Sequence, residues 1–100
     1  MHYLLFYDYI PEYIQRREKF RAEHLSLAWD AHERGELLLA GVVDKPLDGA
    51  ILLFDVDSEK IIEEFAEADP YVVNGLVHEW RIRPWNTVVG DQAVNPLRPA

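Results

Sequence analysis

The strongest constraint on this chain is the order in which its hydrophobic periodicity changes. His2–Tyr7 is a nearly continuous apolar and aromatic run, the pattern of a buried strand. Pro11 suits a first helical turn, so a helix is predicted from Glu12 to Arg34, with Gly35 just past its end. Glu36–Val43 and Ala50–Val56 are two further strand-like runs. Asp44-Lys45-Pro46-Leu47-Asp48-Gly49 between them is rich in turn residues, which makes an antiparallel hairpin. Asp57 or Ser58 can cap a second helix whose apolar positions are Ile61, Ile62, Phe65 and Ala68. Asp69-Pro70 ends it, because the residue before proline avoids helical dihedrals, and Asp69 can cap a short turn over 70–73. Val77–Arg83 alternates like a strand, with His78, Trp80 and Ile82 on one face and Val77, Glu79, Arg81 and Arg83 on the other.

The resulting order is β-α-β-β-α-β. It predicts an α+β, ferredoxin-like domain with a four-stranded antiparallel sheet and two helices on one face. The 100 residues are 49% hydrophobic and suit one domain with one core. The domain is expected over 1–90, with 91–100 as a C-terminal tail. The sheet face opposite the helices has no cover. With strands this apolar, a second copy packed sheet on sheet, or a ligand cleft, is expected there.

Composition excludes several classes of function. There is no cysteine, hence no disulfide framework, thiolate nucleophile or cysteine-ligated metal. That also fits a reducing, cytoplasmic setting. No apolar run reaches the ~18 residues of a membrane span, and the first residues meet an acid too early for a signal peptide. The formal charge of −8 opposes nucleic-acid binding. Residues 55–69 carry seven acids and one base, the pattern of a solvated helix face. Arg16, Arg17, Lys19 and Arg21 form a basic cluster against Glu18; it reads as solvated, with an anionic ligand as the alternative.

At about 100° per residue, Tyr13, Phe20, His24, Leu27 and Ala31 share one stripe of the first helix, and Arg17 sits at its margin. An imidazole in an apolar stripe must find a polar partner, and imidazole titrates near neutrality. His24 is therefore the first candidate for acid–base chemistry, against a purely structural buried histidine. Asp69 is the second candidate, because the end of helix two can approach helix one in this topology. A carboxylate beside imidazole sets its tautomer. The plainer reading of Asp69 is a turn cap. Tyr7, Tyr9, Tyr13 and Tyr71 read first as packing residues and second as phenolic donors. His24 and His32 diverge by about 80° on a helix and make a poor metal pair. No metal site or cofactor is expected, and no zincin, P-loop, dinucleotide or serine-elbow motif occurs.

The ordered string Arg17-x6-His24-Leu25, Gly35-x-Leu37-Leu38-x2-Gly41, Asp48-Gly49-Ala50, Ala68-Asp69-Pro70-Tyr71, Gly75-Leu76 and Arg83-Pro84-Trp85 resembles the YCII-related (YciI-like) domain family. The resemblance spans about residues 1–90. It implies a ferredoxin-like chain that dimerises into an α+β barrel, with a pocket where His24 and Asp69 form a catalytic pair. One branch of the family resembles dehydrochlorinases of chlorinated hydroxyquinols, and the fold is similar to that of muconolactone isomerase.

Three functions follow as expectations. One is a cofactor-independent lyase or isomerase in which His24 moves a proton and Asp69 orients it. Arg17 and Tyr71 would then hold a small anionic or phenolic substrate. The second is a non-catalytic dimeric module that binds a small molecule or regulates a partner. In the third, His24 and Asp69 only satisfy one another.

Overall fold

The computed structural model describes residues 1–100. Its elements are β1 (His2–Tyr9), α1 (Tyr13–Arg16), α2 (Glu18–Glu33), β2 (Leu37–Val43), β3 (Gly49–Asp55), α3 (Glu59–Ala68), α4 (Pro70–Val73) and β4 (Val77–Pro84). The sheet order is β2-β3-β1-β4, and every neighbouring pair is antiparallel. This is the ferredoxin-like α+β arrangement predicted from the order of the runs.

Alternation along the strands divides the sheet into two faces. Tyr3, Leu5, Tyr7 and Tyr9 of β1 point to the helices and are buried. Ala50, Leu52 and Phe54, their partners in register on β3, complete that layer. Ile62, Phe65 and Ala66 of α3 press on it. Ser58 opens α3 by accepting the Lys60 amide hydrogen, as its position predicts. The opposite face carries Leu4, Phe6, Ile51 and Leu53, and no helix covers it.

Three local features differ from the sequence reading. The first helix is not continuous. It divides at Arg17, where the Phe20 amide donates to the Arg17 carbonyl, a three-residue turn that tightens the backbone. No glycine or proline marks this step. β1 continues through Asp8 to Tyr9, because Asp8 points away from the core and pairs with Arg81 at 3.0 Å. In β4, Val77 is buried and His78 exposed, against the predicted alternation. A register shift is the cause: Asp8 opposes Glu79 but Tyr9 opposes Val77, so His78 is an extra residue. Past β4, residues 86–97 fold back on themselves. The Asn95 and Leu97 amides donate to the Thr87 and Val88 carbonyls, and the Thr87 hydroxyl meets His2 Nδ1 at 2.8 Å.

Gly49 opens β3 where the strand crosses close beside the Tyr7 carbonyl of β1. A Cβ added there would collide with the Tyr7 carbonyl, a backbone atom that cannot swing aside. Gly49→Ala is therefore expected to destabilise the domain by about 1–3 kcal/mol. Chemical denaturation followed by circular dichroism measures it, and an unchanged midpoint contradicts this account of the crossing.

Candidate active site

The site forms where the end of helix α3 meets helix α2 over β1. Asp69 leaves the helix in an extended conformation, φ −67° and ψ 122°, as the following proline demands. Its side chain then caps α4 by accepting the Tyr71 amide hydrogen at 3.0 Å. The carboxylate is fully buried. Two further donors reach it. Tyr7 donates its hydroxyl to Oδ2 at 2.7 Å. His24 Nδ1 lies 2.9 Å from Oδ1 and 3.0 Å from Oδ2. The cap read from the sequence is thus real, and the same carboxylate also holds His24.

This contact fixes the chemistry of the imidazole. A carboxylate offers only acceptors, so Nδ1 carries the hydrogen. In the neutral ring, Nε2 then bears the free electron pair. The His24 side chain is 15% exposed, while Asp69 has no solvent contact. The pair therefore has a buried carboxylate and a partly exposed imidazole that lines a cleft.

Aromatic rings set the plane of His24. It stacks on Tyr71 with centroids 3.9 Å apart and an interplanar angle of 11°. Tyr13 meets Tyr71 edge-on at 5.6 Å, and Tyr9 stacks on Tyr13 at 3.7 Å. Arg17 lies over the Tyr13 ring at 5.5 Å. Burial pushes the Tyr7 phenol far above its usual titration range, and the adjacent Asp69 charge pushes it further. Burial likewise raises Tyr9 and Tyr71, while the charges of Arg17 and Arg21 pull Tyr71 back. At neutral pH these phenols are hydrogen-bond donors.

Beside the His24–Tyr71 stack, a cleft of about 430 Å³ runs between α2 and the β2 edge. Leu37, Ala40, Val42, Ala50 and Leu52 form its sheet wall. Arg17, Arg21, Leu25, Ala28, Trp29 and His32 line it from the helix side. All four residues singled out from the sequence, Arg17, His24, Asp69 and Tyr71, converge here; three line the cleft and Asp69 sits behind His24. Arg21, Trp29 and His32 were not singled out for this site. The signal for Arg21 was present, since positions 17, 21, 24 and 28 share a helical face. Tyr7 was weighed as a packing residue, and nothing local identifies it as the partner of a residue 62 positions away. No group of three or more His, Asp or Glu side chains gathers at metal-holding distance.

Residues 1–86, almost the entire folded domain, match the profile of the YCII-related domain. The chain belongs to the YCII-related domain family. Among solved structures, it is similar to 5-chloro-2-hydroxyhydroquinone dehydrochlorinase (TftG) from Burkholderia phenoliruptrix AC1100, in complex with 2,5-dihydroxybenzoquinone. The identity is 22% and the TM-score 0.74, over 87% of this chain and 95% of that one. At this identity the likeness establishes the fold. No curated protein matches the chain. No helix of this YCII-related chain is long and apolar enough to cross a membrane.

The raised phenols make stability depend on alkaline pH. Unfolded tyrosines ionise near pH 10. The buried ones titrate higher, so folding is favoured fully below that pH and loses support as pH rises through and beyond it. Phenolate absorbance is expected to develop together with loss of the circular dichroism signal. Ionisation of all five tyrosines with the fold intact would contradict their burial.

Proposed function

We propose that this chain is a small cofactor-independent lyase or isomerase. His24 is its general base and acid, and Asp69 is its positioning residue. One observation carries the reading: a fully buried carboxylate bonds Nδ1 of a histidine whose other nitrogen is left for a cleft. This is the orienter–base arrangement that proton-transfer sites need.

In the reaction, Nε2 takes a proton from carbon or oxygen of a bound substrate. The electron pair of the broken bond enters the substrate as a new double bond or enolate. In an elimination, a leaving group departs with the pair of the bond that held it, and His24 releases its proton to that group or to solvent. In an isomerisation, His24 returns the proton to another atom. Asp69 stabilises the imidazolium formed midway and keeps the ring from rotating. Tyr71, stacked under the ring, and Arg17 at the cleft mouth hold an anionic or phenolic substrate. TftG, by its name, removes chloride from a chlorinated hydroxyhydroquinone, and its fold is shared here. An elimination of that general class suits a histidine base, which supports the reading.

We further propose a homodimer of the domain over 1–90, with residues 91–100 as its tail. The uncovered sheet face supports it: Ile51 and Val43 are 39% and 43% exposed there, beside half-buried Leu4, Phe6 and Leu53.

His24→Ala is expected to lower kcat by about 10²–10⁴-fold with the fold intact. Asp69→Asn should lower kcat with little change in KM. In that variant, ¹⁵N shifts of the His24 ring should no longer report a single Nδ1–H tautomer. Wild-type turnover in His24→Ala would overturn the role. Sedimentation is expected to give a dimer, and Ile51→Glu a monomer; a monomeric wild type would overturn the sheet-to-sheet pairing.

A further inference from the structure

The cleft differs in charge from the molecule that contains it. The chain carries a net charge of −8, with 18 acids. Yet none of the residues lining the cleft is an aspartate or glutamate. Its titratable lining consists of Arg17, Arg21, His24, His32 and the phenols of Tyr7, Tyr9, Tyr13 and Tyr71. The Asp69 carboxylate behind His24 is buried and already holds three donors.

Neither guanidinium group of the cleft is neutralised, although Arg17 also bonds the Tyr13 side chain. Arg16 is committed to the Asn74 carbonyl, Arg34 to Glu36 and Arg81 to Asp8. Neither Arg17 nor Arg21 pairs with any carboxylate within 4 Å. Both bring positive charge to the Tyr71 phenol, the ring on which His24 is stacked. An unpaired arginine on an open surface is ordinary. Two of them, one helical turn apart and sharing a cleft with a histidine base, form a fork that fits a planar, two-oxygen anion.

The rest of the cleft is apolar. The β2 and β3 part of its wall offers only aliphatic side chains, and at its rim stands Trp29, 60% exposed, whose ring meets His32 edge-on at 5.3 Å. A volume of about 430 Å³ suits a single-ring molecule. Arg17 and His24 are seven residues apart, ~10 Å along the helix axis. Long arginine side chains shorten that gap to the span of a benzene ring substituted at both ends. The acid–base chemistry narrows the choice further. Imidazole removes protons well only where conjugation or a phenolic oxygen makes them acidic.

We propose, building on the acid–base reading of this same cleft, that its substrate is a planar aromatic or conjugated carboxylate. The acid group lies between Arg17 and Arg21, and the flat body lies on the β2 wall beside Trp29. The acidic hydrogen faces Nε2 of His24. Arg21 is the residue that selects the anion.

Calorimetric titration of the intact protein with 4-hydroxybenzoate and with its neutral methyl ester tests this. The acid should bind saturably in the millimolar range or below, and the ester about tenfold more weakly. Arg21→Gln should cost the acid about that same factor and leave the ester unchanged. His24→Asn should still bind the acid, because recognition sits at the arginines. Equal affinity for acid and ester, no saturable binding of the acid, or an unaltered Arg21→Gln overturns the proposal. If the acid binds as expected while no proton transfer is ever found, the substrate class stands and the catalytic reading falls. If a neutral phenol turns over through His24 while acids are refused, the reverse holds.

Discussion

A carboxylate removed from water is destabilising unless donors surround it, and the effective penalty is several kcal/mol. At Asp69 those donors come from three separate parts of the chain: the Tyr7 hydroxyl on β1, the Tyr71 amide at the start of α4 and the His24 ring on α2. The fold must bring all three together, or the carboxylate is stranded. One side chain therefore ties strand β1 to helices α2 and α4. The same bonds that satisfy it also orient His24. Structure and proposed chemistry share one set of contacts.

The cleft lies between α2 and β2. Only Ala31 of α2 is fully buried, whereas α3 buries Ile62, Phe65 and Ala66. At one end of α2, large rings from Tyr9, Tyr13 and Tyr71 occupy the space between helix and sheet. At the other, the His32 ring bonds the Leu37 carbonyl at 2.7 Å. Between these props Arg21, Leu25, Ala28 and Trp29 line the helix side, and an apolar wall stays open beside the His24 ring. The acids of the chain lie outside the cleft, four of them on α3, four on other faces of α2 and the rest on strands and loops. Charge is thus segregated: a negative exterior, and a cleft whose only formal charges are positive.

Much of this was legible along the chain, and the reason is periodicity. Strand and helix repeats distinguish themselves locally, and Ser58, Asp69 and Gly35 mark ends by backbone rules that act within a few residues. His24 stood out because a polar ring interrupted an apolar stripe. The features that escaped are those with no local signature. The step at Arg17 has no proline or glycine. The extra residue at His78 depends on the register against β1, which a single strand cannot reveal. The folding back of 86–97 rests on Thr87, a residue typical of any loop.

By itself, then, the sequence determined the element order, hence the antiparallel topology, and the two residue types able to exchange a proton. It did so because hydrophobic period and turn chemistry are short-range properties. Only the tertiary structure decided that Asp69 faces His24 and that Tyr7 completes its shell. It alone decided that two of four clustered basic residues, Arg17 and Arg21, turn toward a cleft without acids. Those outcomes depend on distances between positions far apart in the chain, and such distances are set by how layers pack, which no local pattern encodes.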